Sequence, residues 1–323
     1  MYDLIIVGAG PAGLTAAIYA VRKKIKTLVI SKDIGGQAAI SGDIENYLGY
    51  AMITGPELAQ KFRQHVEEFE ELELLDATEV TNLEKVDSIF KVTTNDGKTF
   101  EARAVIIASG RVPRLLGIPG EKEMLGRGVA TCATCDAPLF AGKEVAVVGG
   151  GNSAMDAIFS LLKVAKKVYS VNINPDLTGD EVLKKQVTQA PNVELIGNVQ
   201  TSAILNDGQK VTAIEIQDKN GGEKRTIPVQ GVFIEIGQIP SVQFDHLTEK
   251  DKYQQILSDP DTMATNIQGI FTAGDVNNHW GEQIIIAAGE GSKAALRAAE
   301  YLSRLPIETQ TQPQTPPSSG QVS

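Results

Sequence analysis

The stretch Asp3-Leu4-Ile5-Ile6-Val7-Gly8-Ala9-Gly10-Pro11-Ala12-Gly13 decides the fold of the first part of this 323-residue chain. Its apolar start at residues 3–7 predicts a buried strand, and residues 14–21 continue as a helix. The pattern Gly8-x-Gly10-x-x-Gly13 lies between them, and this context is typical of a dinucleotide-binding βαβ unit. The glycines allow a tight turn and bring the backbone close to a pyrophosphate, which the N-terminus of the helix stabilises. A glycine-rich turn without a ligand is the alternative interpretation.

The second strand of this unit is predicted at residues 26–30. Ser31-Lys32 follow it, where the dinucleotide template has an acidic residue that holds a ribose. This departure leaves the kind of dinucleotide open at this point.

The same order of strand, glycine turn and helix returns in the second half of the chain. A strand at Glu144–Val148 precedes the pattern Gly149-x-Gly151-x-x-Ala154, and a further strand is predicted at Lys167–Val171. Two such units predict an α/β fold with two Rossmann-like dinucleotide-binding domains.

Antiparallel strands are predicted as insertions into both units. Residues 82–101 and 211–234 alternate between apolar and polar side chains and contain Asn-Asp-Gly or Asn-Gly-Gly turns. Residues 104–107 are predicted as a separate buried strand. With the insertions, each domain is expected to have a three-layer ββα architecture.

The proline-containing segments 111–119 and 237–240 flank the second unit, and we interpret them as the two strands of a hinge. An FAD-binding domain is therefore predicted at residues 1–113 and 242–306, and an NAD(P)H-like domain at residues 114–241. The remaining residues, 307–323, are rich in Thr, Gln, Pro and Ser and are predicted to form a disordered tail.

Composition excludes several classes of function. The formal net charge of −10 argues against a nucleic-acid partner, which normally requires a basic surface. No apolar run reaches the roughly 20 residues of a membrane span, and no basic region precedes the first strand as in a signal peptide. We therefore expect a cytoplasmic protein without a membrane partner.

A second motif favours FAD as the ligand of the first unit. Gly274-Asp275 follows a predicted strand near the end of the chain, and its carboxylate could accept a hydrogen bond from a ribityl hydroxyl group. A helix predicted from Gln283 could direct its positive end toward the isoalloxazine ring. A surface turn is the alternative interpretation of Gly274-Asp275.

The only two cysteines of the chain, Cys132 and Cys135, form a C-x-x-C motif. In a reducing compartment this spacing indicates redox chemistry or metal binding. A structural zinc site requires four ligands, and the three histidines do not lie at ligand spacing, so no metal is expected. A purely structural disulfide would close a very small loop and stabilise the fold little.

The segment Cys132-Ala133-Thr134-Cys135-Asp136 resembles the active site of low-molecular-weight thioredoxin reductases. The likeness extends in order over about residues 1–305. Six further segments support it: Gly35-Gly36-Gln37, Ile44-Glu45-Asn46-Tyr47, residues 54–58, residues 118–121, Gly274-Asp275-Val276 and residues 287–291. The flavoprotein of alkyl hydroperoxide reductase systems is a close relative of this family.

The resemblance implies a role for each matching residue. Cys135 would face the flavin, Cys132 would attack a disulfide of the partner protein, and Asp136 would act as the nearby acid. It also implies a homodimer and a domain that moves between two poses. The residues that it assigns to FAD are Gly8, Gly10, Gly13, Gly36, Gln37, Asn46, Gly110, Gly274, Asp275 and Gln283.

The second glycine unit departs from the family. Thioredoxin reductases that use NADPH have a His-Arg-Arg motif after the next strand, where this chain has Asn172-Ile173-Asn174. The NADH-using relative has a glutamate at the position of Asn172. Gly149, Gly151, Ala154 and Asn172 therefore predict a degenerate site, open to weak NADH binding or to a second flavin. A branch of the family that lacks these determinants takes electrons from reduced ferredoxin or carries a second flavin in the vacated site, and this chain resembles that branch.

A second departure precedes the last helix. Glu282 stands where the family has a basic residue, and Trp280, the only tryptophan, lies beside it. Stacking of Trp280 on the flavin and ordinary packing are both open.

The leading hypothesis is an enzyme in which FAD reduces the Cys132–Cys135 pair, which then reduces a thioredoxin-like protein. Reduced ferredoxin precedes NADH and NADPH as the expected donor. An ordinary NAD(P)H-dependent thioredoxin reductase and an alkyl hydroperoxide reductase-type flavoprotein are alternatives. A ferredoxin–NADP-type reductase would lack the cysteines. A non-catalytic, flavin-loaded redox sensor is the remaining alternative: it fits the loss of the nucleotide determinants, but the intact C-x-x-C motif does not require it.

Overall fold

The computed structural model describes residues 1–41 and 43–305, without the side chains of residues 43, 134 and 135. The predicted tail at residues 307–323 lies outside the described residues. The strands, in chain order, are β1 (Tyr2–Ala9), β2 (Thr27–Ile34), β3 (Asp43–Ile44), β4 (Ile53–Thr54), β5 (Glu73–Leu75), β6 (Val80–Val86), β7 (Ile89–Thr94), β8 (Thr99–Ile107), β9 (Arg111–Pro113), β10 (Val129–Ala130), β11 (Glu144–Val148), β12 (Lys167–Val171), β13 (Val193–Ile196), β14 (Val199–Asn206), β15 (Val211–Asp218), β16 (Lys224–Pro228), β17 (Gly231–Ile234), β18 (Gln238–Pro240) and β19 (Ile270–Thr272). The helices are α1 (Pro11–Arg22), α2 (Gly36–Ala39), α3 (Gly55–Glu67), α4 (Ala133–Asp136), α5 (Asn152–Leu162), α6 (Glu181–Gln189) and α7 (Ile284–Arg304), with a 3-10 turn at Ala137–Phe140.

The first sheet has seven strands and contains the first glycine turn at its carboxyl edge. Its order is β5-β2-β1-β8-β7-β6, and β19 pairs in parallel with the second half of β8. Alternate residues of β1 enter two separate cores, with Leu4 and Ile6 packing under α1 and α7, and Ile5 on the opposite face. Because both faces are covered, β1 reads as a continuous apolar run in the sequence.

The second sheet repeats this arrangement with the parallel order β10-β17-β11-β12-β13. Val145 and Val147 of β11 pack against α5, and Ala146 and Val148 face the antiparallel sheet β14-β15-β16. The predicted α/β fold with two Rossmann-like units and antiparallel insertions is confirmed.

One strand differs from its prediction. The sequence predicts antiparallel strands to residue 101 and a separate strand at residues 104–107, but β8 runs unbroken over Thr99–Ile107. Its first half pairs with β7 and its second half with β1 and β19. The hydrophobic pattern changes near Ala102, where pairing with β7 ends and pairing with β1 begins. This change made one strand resemble two.

The two sheets are connected by a pair of short strands. β9 pairs antiparallel with β18 over three residues, from Arg111 opposite Pro240 to Pro113 opposite Gln238. The division of the chain near residues 113 and 241 stays a prediction, and this pair lies beside both boundaries.

A buried carboxylate stabilises the segment that follows β9. Glu121 is fully buried, and its two oxygens accept hydrogen bonds of 2.6 Å from the backbone N–H groups of Leu116 and Gly117. The side chain thus folds the segment between β9 and β10 back on itself.

We expect Glu121→Gln to lower the free energy of unfolding by about 2–4 kcal/mol, because one carboxylate acceptor is replaced by an amide donor that faces a buried N–H group. Urea unfolding followed by circular dichroism measures this change. The matched control is E123Q, at the exposed residue two positions later, which should change stability by less than about 0.5 kcal/mol. Equal effects of the two substitutions would contradict the prediction.

Candidate functional site

A cavity of about 1230 Å³ lies where the carboxyl ends of the two parallel sheets face each other. This volume exceeds the roughly 300–1,000 Å³ of pockets for drug-sized molecules, as a dinucleotide requires. The predicted site residues that line it are Gly8, Gly10, Gly36, Gln37, Gly110, Cys132, Gly274, Asp275 and Gln283.

The first glycine turn offers backbone donors to a pyrophosphate. No side chain within the described part of the chain caps the first turn of α1, which begins at Pro11 after Gly10. A Cβ atom on Gly36 would lie 3.2 Å from the Cα atom of Gly10, so the two glycine turns approach each other backbone to backbone. These turns, with the positive end of α1, fit the diphosphate of a dinucleotide.

The loop after β19 forms the other wall of the cavity. Gly274 and Asp275 line it, and burial is the main reason why the pKa of Asp275 is raised, with Glu282 adding to the effect. α7 begins at Ile284 with Gln283 as its N-cap, and Gln283 accepts a 3.0 Å hydrogen bond from the Asn46 side chain. Asn46 therefore positions Gln283 and does not itself line the cavity.

The structure gives Glu282 a specific partner. The guanidinium of Arg111 on β9 lies 2.6 Å from the Glu282 carboxylate and donates a 2.9 Å hydrogen bond to the backbone oxygen of Asp275. The reversed charge at position 282 is thus balanced by a mostly buried arginine, which sequence reasoning did not connect with it.

The first cysteine of the C-x-x-C motif lies in the same cavity as the first glycine turn. Cys132 precedes α4 and is disulfide-bonded, and its Sγ atom is 3.4 Å from the carbonyl oxygen of Ile40. The chain has only one other cysteine, Cys135, whose side chain lies outside the described part. Asp136 is the last residue of α4 and does not line the cavity. Burial raises the pKa of its carboxyl group.

Two acidic residues beside Cys132 were missed by sequence reasoning. Glu235 follows β17, Asp156 lies on α5, and both line the cavity. Burial raises the pKa of Glu235 to about 7, and the charge of Asp156 adds to the rise. The only sequence signal was an acidic residue at the end of the apolar run Gly231–Ile234.

The second glycine turn is contacted by the chain's own loop. Asn172 is buried, and its side-chain amide donates a 2.7 Å hydrogen bond to the backbone oxygen of Asp176. The Asn172 side chain also packs against Gly150, since a Cβ atom at position 150 would lie 2.4 Å from its amide nitrogen. The backbone N–H of Thr178 donates a 2.6 Å hydrogen bond to the Gly150 oxygen.

The cavity excludes several residues of the predicted sites. Gly13 lies inside α1, and the second glycine unit contributes Ser153 to the lining instead of its predicted residues, which are Gly149, Gly151, Ala154 and Asn172. Trp280 is 94% exposed and does not line the cavity, so it neither packs in the core of this chain nor faces the site.

Two Rossmann-like units facing a disulfide define the class of a disulfide oxidoreductase with a dinucleotide cofactor. The family model for pyridine nucleotide-disulphide oxidoreductases matches residues 2–291, and the chain belongs to this family. Membership implies FAD binding, which the first glycine turn fits. Within residues 1–41 and 43–305, none of the helices combines the length and apolarity needed to cross a membrane.

Individual relatives agree with this membership. An NADH dehydrogenase of Bacillus subtilis is 38% identical over 304 residues, which cover 94% of this chain and 59% of that protein. The chain therefore spans about three fifths of the length of this curated relative. A thioredoxin reductase of Lactococcus lactis superposes with a TM-score of 0.83 at 34% identity, covering 94% of this chain and 100% of that one. A ferredoxin-flavin thioredoxin reductase of Clostridium acetobutylicum superposes with a TM-score of 0.51 at 32% identity, covering 94% and 98%.

An ion pair behind the cavity stabilises the Gly274 loop. His279 Nδ1 lies 2.9 Å from a Glu290 oxygen, and the other Glu290 oxygen accepts hydrogen bonds from Gly274 N and Asn277 Nδ2. The hydrogen bond to Glu290 is the main cause that raises the pKa of His279 above its usual 6.5. Although burial opposes it, the pKa of Glu290 is lowered by these hydrogen bonds.

We expect His279→Gln to destabilise the protein by about 1–3 kcal/mol near pH 6 and by less near pH 9. A raised histidine pKa gives stability that is complete below 6.5 and is lost as the pH rises through the folded value. The lowered pKa of Glu290 gives stability that is complete above 4.5 and is lost as the pH falls. Urea unfolding at both pH values tests this window. The control is H65Q, at an exposed position of α3. A loss of stability in H279Q that is the same at both pH values would contradict the prediction.

Proposed function

We propose that this chain is an FAD-dependent disulfide reductase that uses the Cys132–Cys135 pair to reduce a thioredoxin-like protein in the cytoplasm. The observation that carries the proposal is the continuous cavity from the first glycine turn to Cys132. Bound FAD supplies a ring that accepts and donates one or two electrons. A homodimer is part of the proposal by family likeness.

The chain's own residues have distinct roles in this proposal. The backbone N–H groups after Gly10 bind the diphosphate, and Asp275 accepts a hydrogen bond from the ribityl chain. Cys132 and Cys135 exchange electrons with the partner's disulfide, and Asp136 is a nearby acid. We infer that their side of the cavity moves relative to the FAD side by rotation about β9 and β18, the three-residue strands through which the chain passes between the two sheets.

We propose reduced ferredoxin as the electron donor. The buried Asn172 side chain is engaged by the loop that follows it, and the stretch from Asn172 to Thr178 contains no basic residue. A 2′-phosphate would therefore have no cation to bind there. The likeness to the ferredoxin-flavin enzyme supports the same donor.

NADH is the second candidate donor. The relative named NADH dehydrogenase favours it, and Ser153 brings the start of α5 to the cavity. The absence of cations at residues 172–178 weakens binding of NADPH more than of NADH.

The donor is tested by anaerobic titration of the FAD-loaded protein with reduced ferredoxin, NADH and NADPH, with flavin counted per chain. We expect bleaching of the flavin absorbance by ferredoxin, and affinity for NADPH weaker than that of an NADPH enzyme by roughly a hundredfold, because the phosphate-binding cations are missing. Stoichiometric bleaching by NADPH would refute the proposed donor, and bleaching by NADH alone would establish the second candidate.

A gain-of-function variant sharpens this test. Ile173 and Asn174 are exposed, so I173R/N174R adds two guanidinium groups without burying charge. The matched control I173Q/N174Q adds polar side chains without charge. Affinity for NADPH should rise about tenfold in the arginine variant and stay unchanged in the control.

The role of the cysteines is tested separately with Cys132→Ser. We expect reduction of the thioredoxin disulfide, counted by alkylation and mass spectrometry, to fall to background, because Cys132 supplies the attacking sulfur. Bleaching of the flavin by the donor should persist and serves as the internal control for a folded, loaded protein. Retained turnover would contradict the role of Cys132, and the absence of any thioredoxin reduction by the wild-type protein would favour the sensor hypothesis.

A further inference from the structure

The unassigned acidic pair, Glu235 and Asp156, lies on the same structural unit as the disulfide. β17, which ends one residue before Glu235, pairs with β10 in the register Val129 to Val232 and Ala130 to Phe233. β10 in turn ends one residue before the Thr131-Cys132 segment. The backbone N–H of Glu235 donates a 2.8 Å hydrogen bond to the backbone oxygen of Val148, the last residue of β11, so Glu235 is anchored at the carboxyl edge of the second sheet.

Glu235 lies close to the C-x-x-C turn. It lines the cavity together with Cys132 and with Ala133, the residue that follows Cys132. Ala133 is itself buried, at 5% exposure. The pairing of β17 with β10 thus brings the glutamate to the turn whose sulfur undergoes the redox reaction.

The charges around Glu235 come from three directions. The negative charge of Asp156 on α5 disfavours a second negative charge on Glu235 and so raises its pKa. Asp136 lies at the end of α4, and the charged groups across the cavity include Arg111 and Glu282, which neutralise each other. Burial and Asp156 together favour the protonated form of Glu235.

We propose that Glu235 is a proton-holding residue for the Cys132–Cys135 dithiol and that Asp156 tunes it. When the dithiol reduces a partner disulfide, the Cys132 thiolate attacks a partner sulfur, forms a mixed disulfide and releases the first partner thiolate. The second thiol of the pair passes its proton to Glu235 and attacks Cys132. The mixed disulfide breaks, and the second partner sulfur leaves as a thiolate. Glu235 then returns that proton to one partner thiolate, and water protonates the other, so that two electrons and one proton move from the pair to the partner.

The titration of Glu235 suits this task. With a pKa of about 7, the carboxyl group is about half protonated at neutral pH and can both accept and donate a proton. Its position on the second sheet means that it moves with the disulfide in any rotation about β9 and β18. A carboxyl group on the FAD side would be left behind.

The test measures the Cys132 thiol in a reduced C135S background, by the rate of alkylation with iodoacetamide as a function of pH. In this background the wild-type residue at 235 should give a curve with two steps, one of which is the titration of Glu235. Glu235→Gln should give a single step at lower pH and at least about threefold faster alkylation near neutral pH, because a nearby negative charge no longer opposes the thiolate. Glutamine has nearly the same size and shape as glutamate, so a purely structural role would leave the curve unchanged.

Three further variants make the result decisive. Asp156→Asn should shift the Glu235 step to lower pH, even if E235Q fails to fold. Glu300→Gln removes one charge from a surface ion pair on α7 and should change nothing. Identical curves for C135S alone, E235Q and D156N, or a shift caused by D136N and not by E235Q, would overturn the inference.

The inference rests on the proposed function only in that the cysteine pair cycles between disulfide and dithiol. Alkylation requires neither FAD, nor a donor, nor a partner protein. A failed donor titration with a positive alkylation result would refute the proposed function alone, and the reverse pattern would refute the role of Glu235 alone.

Discussion

Both covalent connections between the two sheets pass through one antiparallel pair of three-residue strands, β9 and β18. Arg111, at the start of this pair, also contacts Glu282 and the backbone of Asp275, while Gln37 accepts a hydrogen bond from Gln238. The connection and the wall of the cavity therefore share residues. Any change in the angle between the sheets must alter contacts that shape the cofactor site, so the position of the disulfide and the geometry of the cavity are physically coupled.

The sequence predicted the features that depend on local pattern. Both glycine turns, their flanking strands and the helix near Gln283 follow from periodicity and from the special conformations of glycine. The prediction of two separate strands on either side of residue 102 was wrong. The residues of a strand do not specify which other strands it pairs with. The presence of a cysteine pair was equally plain, whereas its location opposite the first glycine turn follows only from the packing of the two sheets.

The roles that the sequence did not reveal are those that depend on distant partners. Glu282 looked like an isolated reversal of charge until Arg111, 171 positions earlier, was found beside it. Glu235 looked like the polar end of a strand, and its position beside Cys132 depends on the pairing of β10 with β17. Asn172 was noted as a departure, but its engagement by its own loop could not be read from composition. Single-sequence reasoning finds such residues only as anomalies.

The exposure of Trp280 has a practical consequence. It is the sole indole of the protein, 94% exposed, and three residues before Gln283 at the cavity. Ultraviolet emission excited at the indole thus reports from one surface point beside the cofactor wall, without any engineered label. Since oxidised flavins absorb light in the region of indole emission, loading of the first unit should dim this fluorescence. Trp280 therefore serves as an intrinsic fluorescent probe of cofactor binding.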